Sequence, residues 1–528
     1  MKSLYQHLCS AREFGETIDL TKKPIFRSSA IFPVVKNNSY TTNILFLGYW
    51  LLKRKIQEVN LLITLRDYEG TILRRNSWIV NSPRTYTIEL DHLLESTQYA
   101  EKSEFLGSIE VEIFSTNDMV FPYPALVLNY YNAEFNTCVH TLGRIYNDYE
   151  DLIENEKFRV PETGFDIYAN NDIDAFLAFV NGTNVNPDGT IKYIITNSDS
   201  QKFRGTFHLG SIKPYQTVFF KFKDHISDLS KMLNEKPGTI TIEHNFEGFY
   251  TRFLAGNIQH SFPSISFTHT YYDCSSCSTQ SDYWNRISDD YHDCSISIPI
   301  FAENNFYTEL VIYPNFSPSS FFLHINLHDS QGKLLQQIHS FLKIDGKDSK
   351  LFKINFNELI KKHNLDPSKV KTAHIISDFK DKIAARLKFG LNVGVYNSKA
   401  KLPCNICFNS KVGNPLLEKK PGSFHWCPIF NIGDSVISIS NFSPQKNYQR
   451  PAKLKLRFFN EHGPTSIEKT ILLAPCEEFR LDTSKDSYLK PFLQEAPAWV
   501  TIEADNPNIH GFYFNFNRSG SVAGDHFF

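Results

Sequence analysis

Apolar and polar residues alternate with a period of two through most of this chain. Stretches such as "GSIEVEIFS" (107–115), "GTITIEHNF" (238–246) and "AWVTIEAD" (498–505) put their apolar side chains on one face. Turn-forming Asp, Asn and Gly residues interrupt them every eight to twelve residues, as in "LITLRDYEGTIL" (62–73) and "HINLHDSQGKLL" (324–335). This pattern predicts short antiparallel strands and hairpins. A helical pattern is confined to short pieces, the clearest at "NFNELIKKHNL" (355–365).

The alternation is organised in a diverged fourfold repeat with a spacing of about 130 residues. Its copies open on "VVKNNSYTTNILFLG" from Val34, "DIYANNDIDAFLAFVNGT" from Asp166, "PIFAENNFYTELVIYPNFS" from Pro299 and "PIFNIGDSVISISNFS" from Pro428. Each opening run ends in a turn, at Gly48, Asn181, Asn315 and Asn441. Such a unit is the size of one sandwich domain. The predicted fold is therefore all-β, with four tandem antiparallel β-sandwich domains of immunoglobulin-like or jelly-roll-like type. An N-terminal extension (1–24) precedes sandwich 1 (25–135), a linker (136–162) and sandwich 2 (163–273). A Cys/His linker (274–294), sandwich 3 (295–400), a second Cys/His linker (401–427) and sandwich 4 (428–528) follow.

Composition agrees with strands, since Phe (45) and Tyr (25) are abundant and Met (3) is scarce. A net charge of −2 gives no electrostatic case for nucleic acid. The opening residues have no apolar core suited to a signal peptide, and no apolar run reaches the ~18–20 residues that cross a bilayer. A soluble, cytoplasmic protein is expected. Asn181, Asn315 and Asn441 each begin an Asn-x-Ser/Thr triplet at the same repeat position. Turn chemistry accounts for them better than glycans do.

In a reducing compartment, close cysteine pairs point to metal before disulfide. Cys274 and Cys277 are followed, after 14 residues, by His292 and Cys294. Cys404 and Cys407 are followed, after 17, by His425 and Cys427. Each set matches a Cys3His structural zinc site that would pin one linker, so two zinc ions per chain are expected, with iron as the alternative. Cys9 and Cys476 read as ordinary buried residues.

Two loops offer ligand-binding groups: Arg252, Asn257 and His260 in the second copy, and Arg518, Asp525 and His526 in the fourth. Arg beside His and Asn or Asp suits a carboxylate, a phosphate or sugar hydroxyls. No phosphate-binding loop, nucleophile elbow or His-Glu-x-x-His is present. The expected function is a multi-domain binding or scaffold protein acting in recognition or assembly of surface carbohydrate. Its partners would be a protein or a carbohydrate, with self-association left open. The alternatives are a metalloenzyme or sugar-modifying enzyme using the Arg/His/Asp loops of sandwiches 2 and 4, and an adhesin exported without a classical signal.

Overall fold

A computed structural model describes residues 24–146, 162–250, 252–272, 283–284, 286, 288–314, 317, 319–346, 350–384, 387–489 and 496–528. The chain is mostly strand, and every strand pair given by the ladders is antiparallel. Its described residues divide into two compact units, one ending at Tyr272 and the other ending at Phe528. No helix among the described residues is long and apolar enough to cross a membrane.

Each unit holds two copies of one eight-strand scheme. In the first copy the strands are Arg27–Lys36, Thr41–Leu47, Val59–Asp67, Ile72–Val80, Thr85–Glu89, Phe105–Phe114, Val127–Tyr131 and Asn136–His140. They pair in the order first-sixth-third-fourth in one sheet and fifth-second-seventh-eighth in another. The same order recurs in the other three copies, from Asp166 to His269, Cys294 to Asn409 and Ser423 to His526. Short additional strands extend some of these sheets.

Period-two alternation explains where the cores sit. In the second copy, Ile191, Ile195, Ile240 and Ile242 of one sheet share a cluster with Leu177, Phe179 and Ala255 of the other. In the third, Leu323, Ile325 and Ile375 meet Leu310, Phe389 and Leu391. Each such large side chain taken fully out of water contributes about 1.5–3 kcal/mol. The expected helix forms at Phe356–Lys362, where the Asn355 side chain caps it by accepting from Glu358 N at 3.2 Å.

The expected linkers are partly strand. Asn136–His140 and Cys404–Asn409 are the eighth strands of their copies, and Ser423–Ile429 is the first strand of the last copy.

Candidate functional site

Of the two Cys/His sets, only the second lies wholly within the described residues. Cys274 and Cys277 lie outside the described residues. Their expected partner His292 turns its Nδ1 to Asp378 Oδ1 at 3.4 Å, and the other Asp378 oxygen lies 3.5 Å from His324 Nε2. Cys294 opens a strand and packs in the apolar core of the third copy, where burial pushes its thiol up to about 12.

In the second set, Cys404 and Cys407 stand three apart on one continuous strand, opposite Val393 and Gly390. Side chains at that spacing leave opposite faces, so the pair cannot aim at one ion as a turn would. Cys404 enters the core and is raised to about 12 by burial. Cys427 is fully buried, and its thiol is also driven well above its ordinary value. His425 holds its Nδ1 3.0 Å from Phe528 O. The structure does not bring Cys404, Cys407, His425 and Cys427 together as a ligand set.

The ligand-binding loops separate in the same way. Arg252 Nη1 donates to Thr141 O at 2.9 Å, and its guanidinium lies 5.5 Å from the Tyr271 ring centroid. Asn257 donates to Asp166 O at 2.9 Å and accepts from Tyr168 N at 2.8 Å. Both brace backbone. Arg518 is exposed at the tip of the last hairpin, whereas Asp525 and His526 lie at its far end. His526 directs Nδ1 to Phe527 O at 2.9 Å, and its main-chain N–H donates to Asp525 Oδ1 at 2.8 Å.

His260 lines a cavity. Its Nε2 sits 2.6 Å from Asp174 Oδ2, an oxygen also contacted by Lys223 and lying 3.7 Å from Lys221 Nζ. Burial would push the Asp174 carboxyl up. Hydrogen bonds from Lys223 and His260 outweigh it and hold the carboxyl below its usual range. Lys221 and His260 border a cleft of about 380 Å³, whose apolar wall includes Phe219, Leu106 and Ile258. Phe219 is held in place by stacking on Phe176 at 4.7 Å.

A different set of ligands converges in the second unit. One ring nitrogen each of His328 and His374 and the Cys476 sulfur lie within 4.8 Å of one another, a group able to hold a metal ion. His328 closes the Phe321–His328 strand, and His374 lies on its neighbour Thr372–Phe379. Both point away from the core face occupied by Leu327, Ile325 and Ile375. Their rings are 3.9 Å apart between centroids, and the His374 ring also packs on Phe442 at 4.3 Å. His328 Nδ1 and His374 Nε2 are buried without a hydrogen-bond partner. Burial pushes His328 down to about 4 and His374 well below its ordinary value, so both imidazoles are neutral at pH 7 and present lone pairs. Cys476 supplies a half-buried thiol from a turn, with its φ at 67°.

No protein-family model matches the chain, and no curated protein matches it.

Proposed function

We propose that the chain is a non-catalytic binding and scaffold protein of four tandem β-sandwiches whose first unit holds an anionic, sugar-sized ligand in the Lys221–His260 cleft. The observation that carries this reading is the charge balance at Asp174. One buried carboxylate is shared by two ammonium groups and an imidazole, and of that set Lys221 and His260 line the cleft beside the Phe219 wall. A cation at one end and an aromatic face along the side suit an acidic sugar, because the ring's apolar face stacks while its carboxylate pairs with Lys. Recognition of surface carbohydrate is the role that follows. Zinc stays in this reading as a structural ion of the second unit, on ligands other than the Cys404, Cys407, His425 and Cys427 set.

Isothermal titration with glucuronate and with glucose tests the proposal. Glucuronate should bind at least ~10-fold tighter than glucose, the size of one charge-assisted contact, and Lys221→Ala should remove that preference. Equal binding of the two sugars, or a preference that survives in Lys221→Ala, would overturn it.

A further inference from the structure

We infer that His328, His374 and Cys476 form a zinc-class metal site that closes the junction between the third and fourth copies of the repeat. The site owes nothing to the cleft in the first unit, and it stands out when one junction is set beside its counterpart.

In each unit, the turn after the third strand of the leading copy packs on the segment entering the fifth strand of the following copy. In the first unit Thr217 N donates to Tyr68 O at 2.9 Å, and in the second Glu478 N donates to Ser330 O at 3.0 Å. The turns end in Gly70 (φ 89°) and Gly332 (φ 76°). A Cβ on Gly70 would stand 2.4 Å from Pro214 O and 3.0 Å from Tyr215 C. One on Gly332 would stand 2.8 Å from both Pro475 O and Cys476 C. Tyr215 and Cys476 share a left-handed backbone, at φ 57° and 67°. The two junctions thus correspond position by position.

That correspondence identifies the side chains. Arg66 in "LRDYEG" matches His328 in "LHDSQG". Glu110 faces Thr64 across its ladder as His374 faces Asn326, two residues before Arg66 and His328 respectively. Tyr215 matches Cys476. In the first unit the three groups satisfy one another. Arg66 Nη2 and Glu110 Oε2 form an ion pair at 2.8 Å with both side chains buried, and the Arg66 guanidinium lies 4.4 Å from the Tyr215 ring centroid. In the second unit all three have changed together. No charge pair remains among them, and the buried ring nitrogens His328 Nδ1 and His374 Nε2 have no partner. Burying polar groups unsatisfied is costly, and a cation shared by two imidazoles and a thiolate removes that cost.

The donor set selects the ion. Two borderline imidazoles and one soft thiolate favour Zn²⁺ and its congeners over the hard cations Mg²⁺ and Ca²⁺. Three protein ligands leave zinc a further position for water. Binding displaces the Cys476 proton, so loading releases about one proton per ion at neutral pH.

Metal analysis of the purified full chain, with single variants, tests the site. Cys476→Ser and His374→Ala should each lose one equivalent of zinc relative to the wild type. A second variant guards against misfolding. His328→Arg/His374→Glu/Cys476→Tyr installs the ion pair and aromatic ring of the first unit. It should fold, lack that zinc, and melt at a temperature indifferent to EDTA, whereas the wild type should lose about 5 °C or more in EDTA. Zinc content equal in wild type and single variants, or wild-type melting unmoved by the chelator, would overturn the inference.

Discussion

Arg66 and His328 occupy the same place in two copies of one junction, and each has a different need. A buried guanidinium requires an anion, and Glu110 supplies it. Glu110→Ala leaves that charge unpaired and should cost about 3–5 kcal/mol of stability by urea denaturation. A neutral buried imidazole requires a donor, an acceptor or a cation. This exchange was present in the aligned turns "LRDYEG" and "LHDSQG", yet it carried no meaning alone. Its partners at 110, 215, 374 and 476 are distant in sequence, and only the ladder register and the turn packing bring them together. Cys476 reads as an ordinary buried thiol for the same reason. Conversely, the Cys-x-x-Cys spacing at Cys404 and Cys407 resembles a metal knuckle only where the backbone turns, and here it is extended. A second residue-scale prediction concerns Lys411. It borders a cavity of about 190 Å³ with Glu418, and burial pushes its amine from 10.5 down to about 7. Between those values the unfolded chain binds the extra proton, so this group makes stability rise with pH from 7 to 10.5. Lys411→Met should therefore stabilise most at pH 7, with the difference from wild type shrinking as pH approaches 10.5. A difference that is constant with pH would refute the assignment.

At the scale of elements, Asn181 and Asn441 act as backbone clamps, while Asn315 lies outside the described residues. Asn181 Nδ2 donates to Asn184 O at 3.0 Å and Lys213 O at 2.9 Å. Asn441 Nδ2 donates to Arg450 O at 3.0 Å and to Leu473 O and Ala474 O at 3.2 Å each. Both residues are buried. Gly48 keeps the corresponding main-chain link, its N–H donating to Arg84 O at 3.1 Å as Asn181 N donates to Gln216 O at 2.9 Å. Asn441→Asp removes the donor and sets a carboxylate against carbonyl oxygens, so about 3 kcal/mol should be lost, read as a lower urea midpoint at unchanged slope. Strand alternation, hairpin turns and the Phe356–Lys362 helix were legible in the sequence because each is a local pattern. The eighth strands of the first and third copies were not. "NTCVH" and "CNICFN" are buried almost throughout, so they show no alternation and look like linker.

At the scale of the whole chain, four copies repeat one strand order, and the two units differ in how their internal junctions are closed. Metal removal should therefore act on one unit alone. In hydrogen exchange with EDTA, amides of Phe321–His328 and Thr372–Phe379 should exchange faster, while those of Val59–Asp67 and Phe105–Phe114 stay protected. Equal acceleration in both units would remove the distinction drawn between them. The most direct measurement of the central claim is the absorption spectrum of the Co²⁺-loaded full chain. A cobalt ion bound to a thiolate gives an intense near-ultraviolet charge-transfer band. The account predicts this band in the wild type and its loss in Cys476→Ser. A Co²⁺ spectrum without the band, or one identical in Cys476→Ser, would contradict it.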